Sequence, residues 1–296
     1  MKIYYENNFL LGSDITNVCL DVFEKGTETD CDYYVFTSLD NSISSKKNEL
    51  KPFIEKAIAN NKKVLFFGQG DIENGYIPFN VGFNFKNNLF RPIKKRNEFS
   101  LTSLSRDRVP NVSFTPNTNS SIGFCGADNR GHRHFYLHIL KNSKFQTDFI
   151  IKNGAQWGTD PIHDSLSKTE IEQIQQQSKV TFNNNLLNNM FTFCMAGWGN
   201  YSYRFCQAIC SGRIPVLVDT NCVLPYEEIF DYKNHIVFSH PNENIVDNID
   251  KFLNGKTAAD LVNIQQNLYT FGNNYLTPDG FFKNIDKLIS YYERNN

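Results

Sequence analysis

CMAGWGNYSYRFCQAICSGRIPVLVD, residues 194–219, decides how the chain is read. It opens on small and polar residues, among them Gly197, Gly199, Asn200 and Ser202. Residues 202–211 then read as a helix, with Ser202 as N-cap, where a short side-chain oxygen can take a first-turn amide. Gly212 is a good helix stop, and RIPVLV, residues 213–218, is a short apolar run of the buried-strand kind. Glycines let backbone come close to a ligand. The orphan amides and dipole of a first helical turn favour an anion. Arg204 adds a guanidinium suited to forked bonding with phosphate oxygens, and Gln207 lies on the same face one turn on. A capped helix between two strands, with no ligand at all, uses the same letters.

Outward from this stretch, strands and helices alternate. KIYY (2–5) and CDYYVFTS (31–38) read as strands, short, aromatic and β-branched. Leu50, Ile54, Ala57 and Ile58 fall at helical spacing. KKVLFFGQGD (62–71) is a buried strand ending in Gly68, Gly70 and Asp71. Residues 72–117 yield no clear element, only short aromatic pieces and a basic cluster: Arg91, Lys94, Lys95, Arg96, Arg106 and Arg108. A polar break near FTPNTNSS (114–121) is followed by strand SIGFCG, helix RGHRHFYLHILKN, strand TDFIIKN, helix SKTEIEQIQQQ and strand MFTFCM. IVFSH is a further strand, and the remainder is mostly helical. Such βαβ alternation implies parallel sheets. The expected architecture is α/β, two Rossmann-like domains, residues 1–117 and 118–296, with a cleft between them.

Composition bounds the function. The chain has 296 residues, 40% hydrophobic and 21% charged, with a net charge of −1. That is globular, and no global field calls for nucleic acid or an anionic membrane as partner. MKIYYENNFLLGSD lacks the basic start and apolar run of a secretory signal. No apolar run is long enough to span a bilayer. Seven scattered cysteines fit reduced, buried thiols, so a cytoplasmic location is expected. Cys206 and Cys210 share a helix face, and His134 and His138 another, but neither pair has the further ligands a zinc site needs. Asp30-Cys-Asp32 has metal-binding spacing but stands before a strand.

Residues 191–232, FTFCMAGWGNYSYRFCQAICSGRIPVLVDTNCVLPYEEIFDY, resemble the C-terminal signature of exostosin-type glycosyltransferases, family 47 of that class, in its bacterial and viral form. The matching positions are Gly197, Gly199, Asn200, Ser202, Tyr203, Arg204, Phe205, Gly212, Arg213, Ile214, Pro215, Val216, Leu224 and Pro225. SIGFCG looks like the strand that opens the family's second domain, and Arg133 like a helix arginine of the family. FRPIKKRNEF (90–99) resembles an earlier segment, bringing in Arg91, Glu98 and Asp107 as acceptor-side or supporting residues. The resemblance implies a GT-B fold and inverting transfer of a sugar from a nucleotide-diphosphate donor to a glycan or glycolipid hydroxyl. A UDP-sugar is expected, with xylose or another small neutral sugar first. No cofactor and no metal are implied. The donor-binding set becomes Gly126, Arg133, Trp198, Gly199, Asn200, Tyr201, Ser202, Tyr203, Arg204 and Gln207. Three positions depart from the family pattern: Gln207 stands for a glutamate, Ala196 for an arginine and Tyr232 for a tryptophan. Gln offers one carbonyl oxygen and an NH₂ donor where a carboxylate would accept twice. A GDP-sugar transferase, GDP-fucose being one donor, and a catalytically silent glycan- or nucleotide-binding module are therefore the alternatives.

Inverting transfer needs a carboxylate to take the acceptor's proton. Ligands of open parallel sheets bind beyond the carboxyl ends of the strands. Asp71 stands there, after a buried strand and a glycine turn, and resembles the acidic position of relatives. It is the candidate general base, with Asp14 and Asp40 behind it. Glu98 and Asp107 lie among cations, which lower a carboxylate's pKa and weaken it as a base. Glu98 is read as organising Arg91 or Arg96, and the basic cluster as a solvated face. Trp157 and Trp198 are candidates to stack on sugar or base.

Overall fold

The computed structural model describes residues 1–6, 14–39, 43–69, 77–78, 80–102, 106, 109–110, 112–128, 132–152, 166–197 and 199–295. Among them the first part of the chain forms β1 (Lys2–Tyr4), α1 (Asp14–Val22), β2 (Glu24–Lys25), β3 (Tyr33–Leu39), α2 (Ile43–Ala59), β4 (Lys63–Gln69), β5 (Gly82–Lys86) and β6 (Glu98–Ser100). The strands pair in parallel in the order β2-β1-β3-β4-β5-β6. Side chains alternate between faces along a strand. Tyr34, Phe36, Val64 and Phe66 pack with Phe53 and Ala57 of α2. Val35, Leu65, Phe67, Phe83 and Phe85 join the main core on the other face. Burial on both faces is why YYVF and VLFF are unbroken apolar runs.

The second part contains β7 (Ile122–Ala127), α3 (His132–Lys141), β8 (Thr147–Lys152), α4 (Lys168–Asn188), β9 (Phe191–Met195), α5 (Tyr203–Cys210), β10 (Ile214–Val218) and β11 (Val237–Ser239). Its parallel sheet runs β11-β10-β9-β7-β8. Read from the β8 edge this is second, first, third, fourth, fifth, the order that β2-β1-β3-β4-β5 also has. Each sheet is thus doubly wound, with the strand order reversing beside its first strand. Two such α/β parts in one chain make the GT-B plan the sequence led us to expect.

Helices α6 (Ile245–Leu253), α7 (Ala258–Phe271), α8 (Pro278–Lys283) and α9 (Ile285–Arg294) complete the chain. The last two return to the first sheet. Phe281 meets Phe85 edge-on at 6.1 Å, Phe282 meets Phe67 at 5.2 Å, and Tyr292 meets Phe83 at 5.2 Å. Arg213 of the signature is architectural: its Nη2 donates to Thr115 O in the connecting segment at 2.7 Å, and its Nη1 to Gln265 of α7 at 3.1 Å.

Strands β5 and β6 lie where sequence alone gave no element. Both are fully buried yet carry polar residues: Asn84, Lys86 and Glu98. Asn84 bonds both Ile77 N and Ile77 O at 2.8 Å, and Lys86 pairs with Glu98 at 2.8 Å. Buried polar groups are tolerated when so satisfied, and they interrupt the apolar pattern that marks a strand. All seven cysteines are buried and free. Asp30 and Asp32 both take Lys2, one at its ammonium and one at its backbone N–H. No helix among the described residues is long and apolar enough to cross a membrane.

Candidate functional site

In the second sheet the strand order reverses between β7 and β9, and residues of the signature gather at the carboxyl ends of those strands. Arg133, on α3, donates through Nη1 to Ala127 O at 2.8 Å. Through Nη2 it reaches Met195 O at 3.2 Å and Ala196 O at 3.1 Å. One guanidinium thus fastens both strand ends at the switch point. Arg204, in the first turn of α5, lies with its guanidinium 4.3 Å from the centre of the Phe124 ring and donates through Nη2 to Cys125 O. Its Nε is buried without a partner among the described residues.

Burial lowers the pKa of Arg204 to about 10, and the nearby Arg133 adds to the lowering. Burial lowers Arg133 as well, with Asp128 opposing. Both stay cationic at neutral pH, and neither forms a salt bridge among the described residues. Two largely buried guanidiniums, neither in a salt bridge among the described residues and with Asp128 acting on Arg133 alone, make the switch point electropositive. Gly126 leaves room for this. A Cβ there would lie 2.3 Å from Arg204 Nη2, a nitrogen already fixed to Cys125 O. Gly126→Ala is expected to displace the guanidinium and to cost about 1–3 kcal/mol of stability, as overpacking does. Chemical denaturation measures it.

The loop from β9 into α5 closes on itself through Gly197 N donating to Tyr201 O at 3.1 Å. Ser202 is the residue before α5, as expected, but its hydroxyl makes no capping bond, which leaves the first-turn amides unclaimed by it. Tyr201 donates to the Tyr203 hydroxyl at 3.3 Å. Gln207 follows Arg204 on α5 and is half-buried. Gly199 and Asn200 are buried. Asn200 is engaged by the protein itself: its N–H donates to Asn88 Oδ1 at 2.7 Å, its Nδ2 to Leu89 O at 3.0 Å, and its Oδ1 accepts from Thr220.

Those bonds belong to a junction that joins the two parts of the chain. Phe90 forms an antiparallel bridge with Cys222, Arg91 N donates to Asn221 O at 2.8 Å, and Val223 N donates to Leu89 O at 3.3 Å. The Arg91 side chain reaches Asp219 at 3.3 Å and Glu227 at 3.0 Å, and Lys94 reaches Glu228 at 3.4 Å. Burial raises the Glu228 carboxyl above its usual value, with Lys94 opposing. Arg91 and Lys94 thus serve the junction, where the sequence led us to expect a solvated face. Glu98 does not hold Arg91. It pairs with Lys86 and accepts from Lys95 N at 2.8 Å. Arg106, from the same cluster, ties Asp21 to Asp279, each at 2.6 Å.

Asp71, Asp107, Trp157, Trp198, Asp40 and Arg108 lie outside the described residues, as does the side chain of Asp14, which begins α1. Of the sequence-derived residues, the fold gathers Gly126, Arg133, Gly199, Asn200, Tyr201, Ser202, Tyr203 and Arg204 around the end of β7 and the start of α5. Arg91 stands at the junction, and Glu98 is buried at the start of β6. Asn88, Leu89 and Thr220 were not singled out from sequence. The paired asparagines ahead of Arg91-Pro92 were their one mark.

No known protein family matches the chain, and no curated protein does. Among solved structures it is similar to S. aureus TarM, in a mutant form in complex with fondaparinux, α-GlcNAc-glycerol and UDP. The TM-score is 0.43 at 12% identity, over 80% of this chain and 52% of that one. It is similar to CalG4, the calicheamicin glycosyltransferase, with a TM-score of 0.39 at 10% identity, over 99% of this chain and 98% of that one. The spinosyn forosaminyltransferase SpnP gives 0.36 at 9%, over 94% and 73%. The chain spans about half the length of TarM.

Proposed function

We propose that this chain is an inverting glycosyltransferase of the exostosin-like kind, moving a sugar from a nucleotide-diphosphate donor, a UDP-sugar first, to a glycan hydroxyl. One observation carries the reading. Arg133 and Arg204, half or more buried, stand without a carboxylate partner among the described residues at the reversal of the second sheet, beside the start of α5. An unpaired buried cation is costly unless an anion arrives to compensate it.

A leaving diphosphate supplies that anion. In the transfer, the bond between the sugar's anomeric carbon and the diphosphate oxygen breaks, and the negative charge grows on the diphosphate. Cations and amides fixed beforehand stabilise that charge without having to reorganise. The two guanidiniums and the first turn of α5 therefore take the part a divalent metal plays elsewhere. On the opposite side Asp71 accepts the proton of the acceptor hydroxyl as its oxygen bonds to the anomeric carbon. In this reading Gln207, one turn on from Arg204, meets the ribose of the nucleotide through one carbonyl oxygen and one NH₂ group. Xylose or another small neutral sugar is the donor sugar we favour.

The test incubates the full chain with UDP- and GDP-sugars and a panel of glycan acceptors, measuring released nucleotide and labelled product. UDP release that depends on acceptor is the expected result. Release from GDP-sugars alone would move the donor assignment. Binding with no turnover would make the chain a silent module, and no binding of either nucleotide overturns the reading.

A further inference from the structure

Asn200 sits three residues ahead of the start of α5, yet three of its polar groups are taken by the protein. Its N–H meets Asn88 Oδ1 and its Nδ2 meets Leu89 O, both from the segment after β5. Its Oδ1 accepts from Thr220, in the loop after β10. Leu89 O is shared, accepting also from Val223 N. A single carbonyl of the first part therefore holds both the loop after β9 and the loop after β10. Asn200 is 6% exposed, its bond to Leu89 O is buried, and its bonds to Asn88 and Thr220 are part-buried. Between Gly197 and Tyr201 the loop is closed by its own backbone bond; Arg133 holds its start at Ala196 O, and Asn200 ties its far side to the junction.

We infer that Asn88 and Thr220 are positioning residues of the donor site. Acting through Asn200, they fix the segment Gly199–Ser202 in the shape that presents the first turn of α5 to a nucleoside diphosphate. The inference rests on the diphosphate reading of that turn. If the loop takes its binding shape only when the segment after β5 is docked, docking and diphosphate binding stabilise each other by the same free energy. The acceptor-side half of the chain then tunes donor affinity without touching the donor.

Asn88→Ala removes the oxygen that receives Asn200 N–H. Thr220→Val removes the hydroxyl at constant shape, and Thr220→Ser restores it. Titration calorimetry with UDP, or with GDP if only GDP binds the wild-type protein, reads the effect. Asn88→Ala and Thr220→Val are expected to weaken binding roughly tenfold, one part-buried hydrogen bond to Asn200 lost in each, while Thr220→Ser stays close to wild type. In steady state the donor KM rises while the acceptor KM and kcat hold, a split that general destabilisation does not produce. Should Asn88→Ala fail to fold, the Thr220 pair decides. Wild-type affinity in Thr220→Val, or equal weakening by Val and Ser, overturns the inference and leaves the functional reading standing. Absence of UDP and GDP binding by the wild-type protein overturns both.

Discussion

An Asp71→Asn variant is expected to lose about 10²–10⁴-fold in kcat while binding nucleotide as the wild-type protein does. The choice of residue follows from its place in the sequence, just after β4. β4 and β5 run parallel, with Gly68 opposite Lys86. Two residues past Lys86, Asn88 already touches Asn200 across the junction. β4 leaves the sheet at the same edge, and Asp71 follows its last residue, Gln69, by two. In the proposed transfer, a carboxylate following that strand takes the proton of the acceptor hydroxyl. Asparagine keeps the shape and hydrogen-bonding capacity but cannot hold a proton taken from a hydroxyl. The measurement is single-turnover transfer under saturating donor, with nucleotide affinity determined in parallel. Turnover near the wild-type rate would remove Asp71 from the chemistry and direct attention to Asp14 and Asp40.

What the sequence conveyed, and what it withheld, divides along physical lines. VLFF and YYVF announce strands because both faces of β3 and β4 are buried, so no polar residue interrupts them. The helix after Ser202 is equally plain, stopped by Gly212, since such glycines have local meaning, although the Ser202 hydroxyl makes no capping bond. β5 and β6 stay hidden because Asn84 and the Lys86–Glu98 pair are buried polar groups satisfied by partners distant in sequence. The junction is hidden for a related reason. Asn88 and Asn200 are 112 positions apart, and much of their segments' docking runs through backbone atoms, which no side-chain pattern encodes. The apolar stripes of α8 and α9 say that those helices are covered, and only the fold says that the first sheet covers them. The signature itself proves to be mixed in purpose. Arg213 and Asn200 hold the architecture, whereas Arg204 is held beside the start of α5 with its charge uncompensated among the described residues.

That contrast makes Arg204→Met the more informative substitution. Methionine keeps the unbranched stem against Phe124 and deletes the charge. The fold pulls the arginine's pKa down to about 10, with burial the main cause, so the native state on balance opposes the cation it contains. A base whose folded pKa lies below its unfolded one is penalised at every pH below the folded value, and the penalty fades only as pH rises past about 10. Between pH 6 and 9 the cost is therefore constant. The variant is expected to melt no lower than the wild-type protein throughout that range, even though it loses the bond to Cys125 O. Binding should move the other way. A charge-assisted hydrogen bond to a diphosphate is worth about 1.5–3 kcal/mol, so affinity for UDP is expected to fall by roughly tenfold to a hundredfold. Stability held and affinity lost is the signature of a group kept for its ligand at the fold's expense. Calorimetric titration and thermal melting of one preparation read both quantities. A variant that melts well below wild type yet binds UDP unchanged would place Arg204 with Arg213, as a brace between strand and helix, and would leave the diphosphate to be held elsewhere.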